Sequence, residues 1–235
     1  MQNNIKAITF DLDGTLYPNY RINIKLIPFT LKQWRLLSTF GKVRKIIRQE
    51  QEKNLQDSPQ LFAPCSDIYE YQAQMTAKIL SDNPEQIREK IDRLIYRGWE
   101  PLFKTVKLFK GVHETLETFR KAGYKLGLMS DFPPETKLKN LKVNDCWDTV
   151  QCSERCGALK PHPLPFIKLA QALSLPPQNI LYVGNSYSYD VVGAARAGMK
   201  TAWLKPAFAL NSKKMSIKPD FSFNNYRQLH DFVIR

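Results

Sequence analysis

Asp11-Leu12-Asp13-Gly14-Thr15 is the stretch on which the reading of this chain turns. It directly follows an apolar, β-rich run, Ile5-Lys6-Ala7-Ile8-Thr9-Phe10. Such a run is what a strand buried on both faces looks like. The chain leaves that strand with two carboxylates separated by one residue, then a Gly where the backbone must turn tightly. Carboxylates crowded at a strand end repel each other unless something positive sits between them. A hard divalent cation with oxygen ligands fits that need. In open α/β sheets, ligands bind off the carboxyl ends of the strands. Taken alone, the five residues read equally well as an acidic turn after an edge strand.

Three later stretches separate the two readings. Leu128-Met129-Ser130 ends an apolar run in a hydroxyl. Lys160-Pro161-His162-Pro163 places a lysine before a proline. Val183-Gly184-Asn185-Ser186-Tyr187-Ser188-Tyr189-Asp190 carries an acid just after a late strand. In this order, and over most of the chain, the four stretches resemble the motifs of the haloacid dehalogenase superfamily. The resemblance implies an α/β fold: a Rossmann-like, mostly parallel sheet with helices on both faces, plus an inserted all-helical cap domain. It also implies a phosphohydrolase that uses Mg²⁺, acts on a small phosphorylated metabolite and forms an aspartyl-phosphate intermediate. Asp11 is then the nucleophile, and Asp13 the acid for the leaving group and the base for water. Ser130 and Lys160 hold the phosphoryl oxygens. Gly14 and Thr15 complete the phosphate loop, with Thr15 tying it down rather than reacting. Asp11, Asp13 through its backbone carbonyl, Asp190 and Asn185 are the expected metal ligands.

The chemistry accounts for these residue types. A phosphate monoester dianion repels an anionic nucleophile, so a site must neutralise charge, position the attacker and protonate the leaving oxygen. A carboxylate nucleophile splits the reaction into two easier steps. Asp13 favours a phosphatase over a dehalogenase, whose halide leaving group needs no acid. Two positions depart from the family pattern. Asn185 stands where an Asp is usual, and Asp131 stands where Asn is more frequent. These departures support an alternative reading, a catalytically weak or inactive module that binds phosphate or protein. The presence of Asp11, Asp13, Ser130 and Lys160 together favours the enzyme.

The 235 residues suffice for a core and a smaller domain. Residues 1–17 and 106–235 alternate strand and helix signals, which predicts the core. Residues 18–105 read as helix throughout, which predicts the cap. Within 22–55, Trp34, Leu37, Phe40, Val43 and Ile47 recur at helical spacing, with Pro28 and Gly41 as expected break points. Lys42, Arg44, Lys45 and Arg48 fall largely elsewhere and read as a solvated face, with a phosphate-bearing partner as the alternative. Asp57-Ser58-Pro59 and Ala63-Pro64 read as loop. A helix with Ile68, Gln72, Met75 and Ile79 on one stripe follows. Another is capped at Asn83, with Pro84 at its first position and Gln86 completing a capping box. After residue 109, helices are expected at 111–121, 163–173, 190–198 and 226–234. Strands are expected at 124–129, 148–152, 180–183, 201–204 and 221–223.

No apolar run is long enough to span a bilayer, and Met1-Gln2-Asn3-Asn4 does not begin like a secretory signal. A cytoplasmic protein with no membrane partner and reduced thiols is expected, with the oligomeric state left open. A zinc site from Cys152, Cys156 and His162 is a remote alternative. The net charge of +13 attracts anions in general. No recognised nucleic-acid motif accompanies it, so nucleic acid is not the expected partner.

Overall fold

Six strands pair in parallel: β1 (Ala7–Asp11), β2 (Lys125–Ser130), β3 (Thr149–Cys152), β4 (Ile180–Gly184), β5 (Lys200–Leu204) and β6 (Phe221–Phe223). Their order across the sheet is β3-β2-β1-β4-β5-β6. The structure, a computed structural model, describes residues 4–57, 65–205 and 215–235. The helices are α1 (Asn19–Lys32), α2 (Trp34–Asp57), α3 (Ile68–Leu80), α4 (Pro84–Ile91), α5 (Val112–Lys121), α6 (Glu135–Asn140), α7 (Pro163–Ala172), α8 (Val192–Arg196) and α9 (Tyr226–Ile234).

Every residue of β1 and β4 is buried, as expected for central strands covered on both faces. Phe166, Leu169 and Leu173, on and just after α7, pack with Met129, Ile180 and Tyr182 on one side. Val112, Leu116 and Phe119 of α5 and Leu229 and Val233 of α9 pack with Ile8, Phe10, Leu126 and Leu128 on the other. From β1 the chain works outward through β2 and β3. It then returns to the far side of β1 and works outward again through β5 and β6. The connections from β1 and β4 therefore diverge, and a crevice opens between their carboxyl ends. Asp11 ends one of these strands and Gly184-Asn185 leaves the other.

The helices α1 to α4 enter between β1 and α5. Leu36, Phe40, Ala73, Ala77, Ile87, Ile91 and Ile95 form their own apolar cluster. A second contact runs from Val43, Ile47 and Ile68 onto Leu159 of the core. Several expectations shift here. The break between α1 and α2 falls at Gln33, with φ −115° and ψ 22°, and not at Pro28 or Gly41. Buried Ile22 and Leu26 hold α1, and Phe40 and Val43 hold α2, so packing overrides the two poor helix formers. Trp34 lies at the junction and is exposed; Leu36 takes its place in the stripe. On α3 the buried face is Ile68, Gln72, Ala73, Thr76 and Ala77, while Ile79 is exposed. The Asn83 cap forms, accepting from the Glu85 and Gln86 amides, but the Asn83 amide donates to Asp82 instead of to Gln86. Of the loop expected between α2 and α3, Asp57 closes α2, and Ser58, Pro59, Ala63 and Pro64 lie outside the described residues. The short helix α6 was not expected, although Pro134 before it, Glu135 in its first turn and Lys139 in its last are helix signals.

His162 caps α7, its Nδ1 accepting from the Leu164 amide at 3.1 Å. Burial pushes its pKa down to about 4. The unfolded chain therefore takes up this proton first, and stability is lost as pH falls from about 6.5 toward 4. His162→Asn keeps a cap acceptor that does not titrate. Between pH 7 and pH 4.5 the variant should lose about 2 kcal/mol less stability than the parent. Urea unfolding at the two pH values checks this, and equal losses would remove His162 as the source.

Candidate active site

Asp11, the last residue of β1, is buried. Lys160 reaches it from the loop before α7, and its Nζ donates to Asp11 Oδ1 at 2.7 Å and to Asp190 Oδ1 at 2.8 Å. The Tyr182 hydroxyl on β4 lies 3.4 Å from the same nitrogen. Asp190 arrives by a single turn after β4. Its Oδ2 accepts from the Ser186 amide at 2.9 Å. Gly184 makes room for it, since a Cβ there would stand 2.3 Å from the Asp190 Cβ.

The other Asp11 oxygen accepts from the Thr15 hydroxyl at 2.8 Å. The same hydroxyl lies 3.2 Å from Asn185 Oδ1. One hydroxyl hydrogen cannot serve both acceptors at once. Gly14 turns the loop with φ +90°, and a Cβ there would come within 2.4 Å of the Asn185 amide, so backbone and space both require glycine. The Tyr226 hydroxyl of α9 fixes the Thr15 carbonyl at 2.8 Å.

Asp13 points toward the helical insertion. Lys137 of α6 donates to both its oxygens at 2.8 Å. The Tyr17 hydroxyl donates to its Oδ1, and the Ser130 hydroxyl lies 3.4 Å from its Oδ2. All eight residues singled out for the site thus converge on the crevice. Three carboxylates, Asp11, Asp13 and Asp190, face two ammonium groups, Lys137 and Lys160. Desolvation is the largest influence on Asp11. It outweighs Lys160, with Asp190 and Asp13 adding to the rise, and lifts the carboxyl to about 7.

Asp131 does not stand unpaired beside the crevice. Its carboxylate accepts from Arg48 Nη2 at 2.8 Å and Ser153 Oγ at 2.6 Å, with Arg44 Nη2 at 3.4 Å. Despite burial, Lys160, Arg48 and Arg44 hold its pKa below the usual carboxylate range. Arg44 also pairs with buried Glu154 and donates to Gln72 at 2.9 Å. The basic run on α2 is therefore only partly a solvated face: Lys42 and Lys45 are exposed, whereas Arg44 and Arg48 turn inward. Sequence reasoning missed Lys137, Tyr17, Tyr182 and Tyr226, and took Arg44 and Arg48 for surface. Only the four-residue spacing of Arg44 and Arg48 along the buried side of α2 was available as a signal.

Above Asp13 lies a cavity of about 460 Å³. Its walls are mostly apolar, including Ile22, Leu26, Phe40, Ile95, Phe103 and Phe132, and Asp13, Arg44 and Lys137 supply its charges. Among the described residues, no three His, Cys, Asp or Glu side chains group as a metal site. Cys152 and Cys156 therefore do not join His162 in one. All four cysteines are free thiols.

Carboxylates and a lysine gathered at the switch point of a parallel α/β sheet form a site suited to a phosphoryl group or a divalent cation. Comparison with known proteins names the family. Residues 5–198 match the model of the haloacid dehalogenase-like hydrolases. The chain is 25% identical to a phosphoglycolate phosphatase of Haemophilus influenzae (strain 86-028NP), over 97% of this chain and 98% of that protein. It is 32% identical to the pyrophosphatase PpaX of Bacillus thuringiensis (strain Al Hakam), over 96% and 94% respectively. Among solved structures it resembles the L-2-haloacid dehalogenase from Xanthobacter autotrophicus, with TM-score 0.65 and 15% identity over 98% of both chains. It also resembles a HAD phosphatase from Thermococcus onnurineus, with TM-score 0.61 and 22% identity over 97% and 98%. This chain belongs to the haloacid dehalogenase-like hydrolases, and it is an enzyme of their phosphatase kind.

Proposed function

We propose that this protein hydrolyses a small phosphate monoester, with Asp11 as nucleophile and Mg²⁺ as cofactor. The carrying observation is the buried Asp11 carboxylate, held by Lys160 on one oxygen and by Thr15 on the other. Held this way, its lone pairs have a fixed direction, as in-line attack on phosphorus requires. Residues 1–17 and 106–235 supply the chemistry, and residues 18–105 form the cap.

The residues present fit Mg²⁺. The donors are hard oxygens from Asp11, Asp190, Asn185 and the Asp13 carbonyl, the type this ion prefers. The cluster is one positive charge short, and one acceptor at Thr15 is left over. When bound, the ion supplies positive charge to the transferring oxygens.

The chain's own residues perform the steps. The Asp11 carboxylate attacks phosphorus, Lys160 and Ser130 steady the phosphoryl oxygens, and Asp13 gives a proton to the departing oxygen. Asp13 then takes a proton from the water that attacks phosphorus of the Asp11 acyl phosphate, breaking its P–O bond and freeing the Asp11 carboxylate and inorganic phosphate. Tyr17 and Lys137 donate to Asp13 and hold its carboxyl in place for both halves. Lys137, bonded to both Asp13 oxygens, adds positive charge beside the path of the incoming dianion. The leaving group enters the apolar cavity. A screen of phosphate esters with and without Mg²⁺, with acid quenching to trap phosphate on Asp11, tests the reading. No phosphate release from any ester would overturn it.

Two expected results refine it. Asn185→Asp adds a hard anionic ligand or acceptor at the metal, and Mg²⁺ should bind about tenfold more tightly. Calorimetric titration with Mg²⁺ and rate titration should agree; an unchanged affinity would mean that Asn185 does not sense the ion. Gly41 lines the cavity, and a Cβ there meets nothing within 4 Å. Gly41→Leu should fill the space without strain. It should lower kcat/KM for hexyl phosphate about tenfold while sparing ethyl phosphate. Parallel losses on both esters would place the leaving group elsewhere.

A further inference from the structure

The outward side of α1 carries an apolar stripe that no other described element covers. Tyr20, Ile24, Ile27, Leu31 and Trp34, the last at the start of α2, are 58, 61, 51, 72 and 64% exposed. They recur at steps of four, three, four and three, so they line one side of the helix. Ile22 and Leu26, buried, take the opposite side. Arg21, Lys25, Lys32 and Arg35 each follow a stripe member by one residue, and all four are exposed. One residue is about 100° of turn, so the three on α1 stand along one flank of the stripe. From Gly14 to Gln49 the chain has no acidic residue. Arg44 and Arg48 are bound internally, while Lys42 and Lys45 add two further exposed cations.

We propose that this face docks on the surface of an anionic lipid bilayer, with the stripe in the headgroup boundary and the flanking cations on lipid phosphates. Such a patch on one helix is large for a free surface. A bilayer surface satisfies both of its halves at once. Tyr20 and Trp34 stand at the two ends of the stripe, and their amphipathic rings suit the boundary between headgroup and acyl chain. A second copy of the chain would press one acid-free cationic strip against another. A nucleic acid would take the cations and leave five apolar side chains in water. The docking is peripheral, since no described helix is long and apolar enough to cross a membrane.

The test is flotation of the protein with vesicles of phosphatidylcholine alone or of equal parts phosphatidylcholine and phosphatidylglycerol, at physiological ionic strength. The protein should float with the anionic vesicles and stay behind with the neutral ones. Ile24→Ser with Leu31→Ser should weaken partition on the order of 10²-fold. Lys25→Gln with Lys32→Gln should weaken it about 25-fold, at about fivefold per cation. All four positions are exposed, and unchanged circular-dichroism melts separate lost docking from lost folding. Should a variant unfold, release of the parent protein by added salt reads the same charge dependence. Three results would overturn the proposal. The first is no flotation with anionic vesicles. The second is RNA retention that only the lysine pair affects, without flotation. The third is a lipid-free dimer that the Ile24 and Leu31 changes disperse, without flotation.

Discussion

Asp11→Asn should abolish turnover of aryl and alkyl phosphates, by about 10⁴-fold or more, and at the same time make the metal-free protein more stable. The loss follows from the neutral amide, which cannot attack phosphorus and leaves no covalent path through the site. The gain follows from burial. Desolvation holds the Asp11 carboxyl up at about 7, so its ionised form is disfavoured by folding. An acid whose folded pKa is raised binds its proton more tightly folded than unfolded. Its contribution to stability falls as pH rises from about 4 toward 7. Asparagine has the same shape and no such dependence. With EDTA present at pH 7.5, the variant should melt at a higher temperature, and its advantage should shrink toward pH 5. A variant melting below the parent at pH 7.5 would contradict the electrostatic account. Residual turnover near the parent's would show that another group attacks phosphorus.

Lys160→Met should act in the opposite direction on stability. One ammonium group satisfies two buried carboxylates. Replacing it by an apolar side chain of similar volume leaves Asp11 and Asp190 facing each other without a cation. Removing one partner of a buried charge pair costs about 3–5 kcal/mol. In the proposed mechanism the same nitrogen holds a phosphoryl oxygen, so kcat/KM should fall about 10²-fold or more. Urea unfolding in EDTA reads the first effect. Added Mg²⁺ should restore part of the lost stability, because it returns positive charge between the two carboxylates. A variant as stable as the parent and indifferent to Mg²⁺ would mean that the carboxylates are paired in some other way.

The core was the legible part of this chain. Strands buried on both faces are written as unbroken apolar runs, and β1 and β4 could be read directly from Ala7–Phe10 and Ile180–Val183. The four stretches resembling a known family fixed Asp11, Asp13, Ser130, Lys160, Asn185 and Asp190 as one group. Their gathering at the switch point follows from the strand order. Lys137 was not legible, because nothing in its neighbours separates it from a solvated lysine. Its position depends on how α6 packs, which is a tertiary fact. Arg44 and Arg48 misled for a related reason. Charge on a helix suggests solvent, yet Glu154 and Asp131, more than eighty residues later in the chain, turn both inward. The helix break at Gln33 escaped because Pro28 and Gly41 were the stronger local signals, and buried neighbours overruled both.

Arg48 links Asp131 to the mechanics of the molecule. From α2 its guanidinium holds the Asp131 carboxylate with one nitrogen and the Lys160 carbonyl with another, both at 2.8 Å. The residue after Ser130 and the backbone that carries Lys160 thus share one side chain of the inserted helix. Any lifting of α2 from the sheet breaks both bonds together, leaving Asp131 to Ser153 alone among these donors. An asparagine at position 131 would offer Arg48 a neutral and weaker hold. The acid at this position gives Arg48 a charged partner, so one guanidinium ties the end of β2 and the approach to α7 to the same helix.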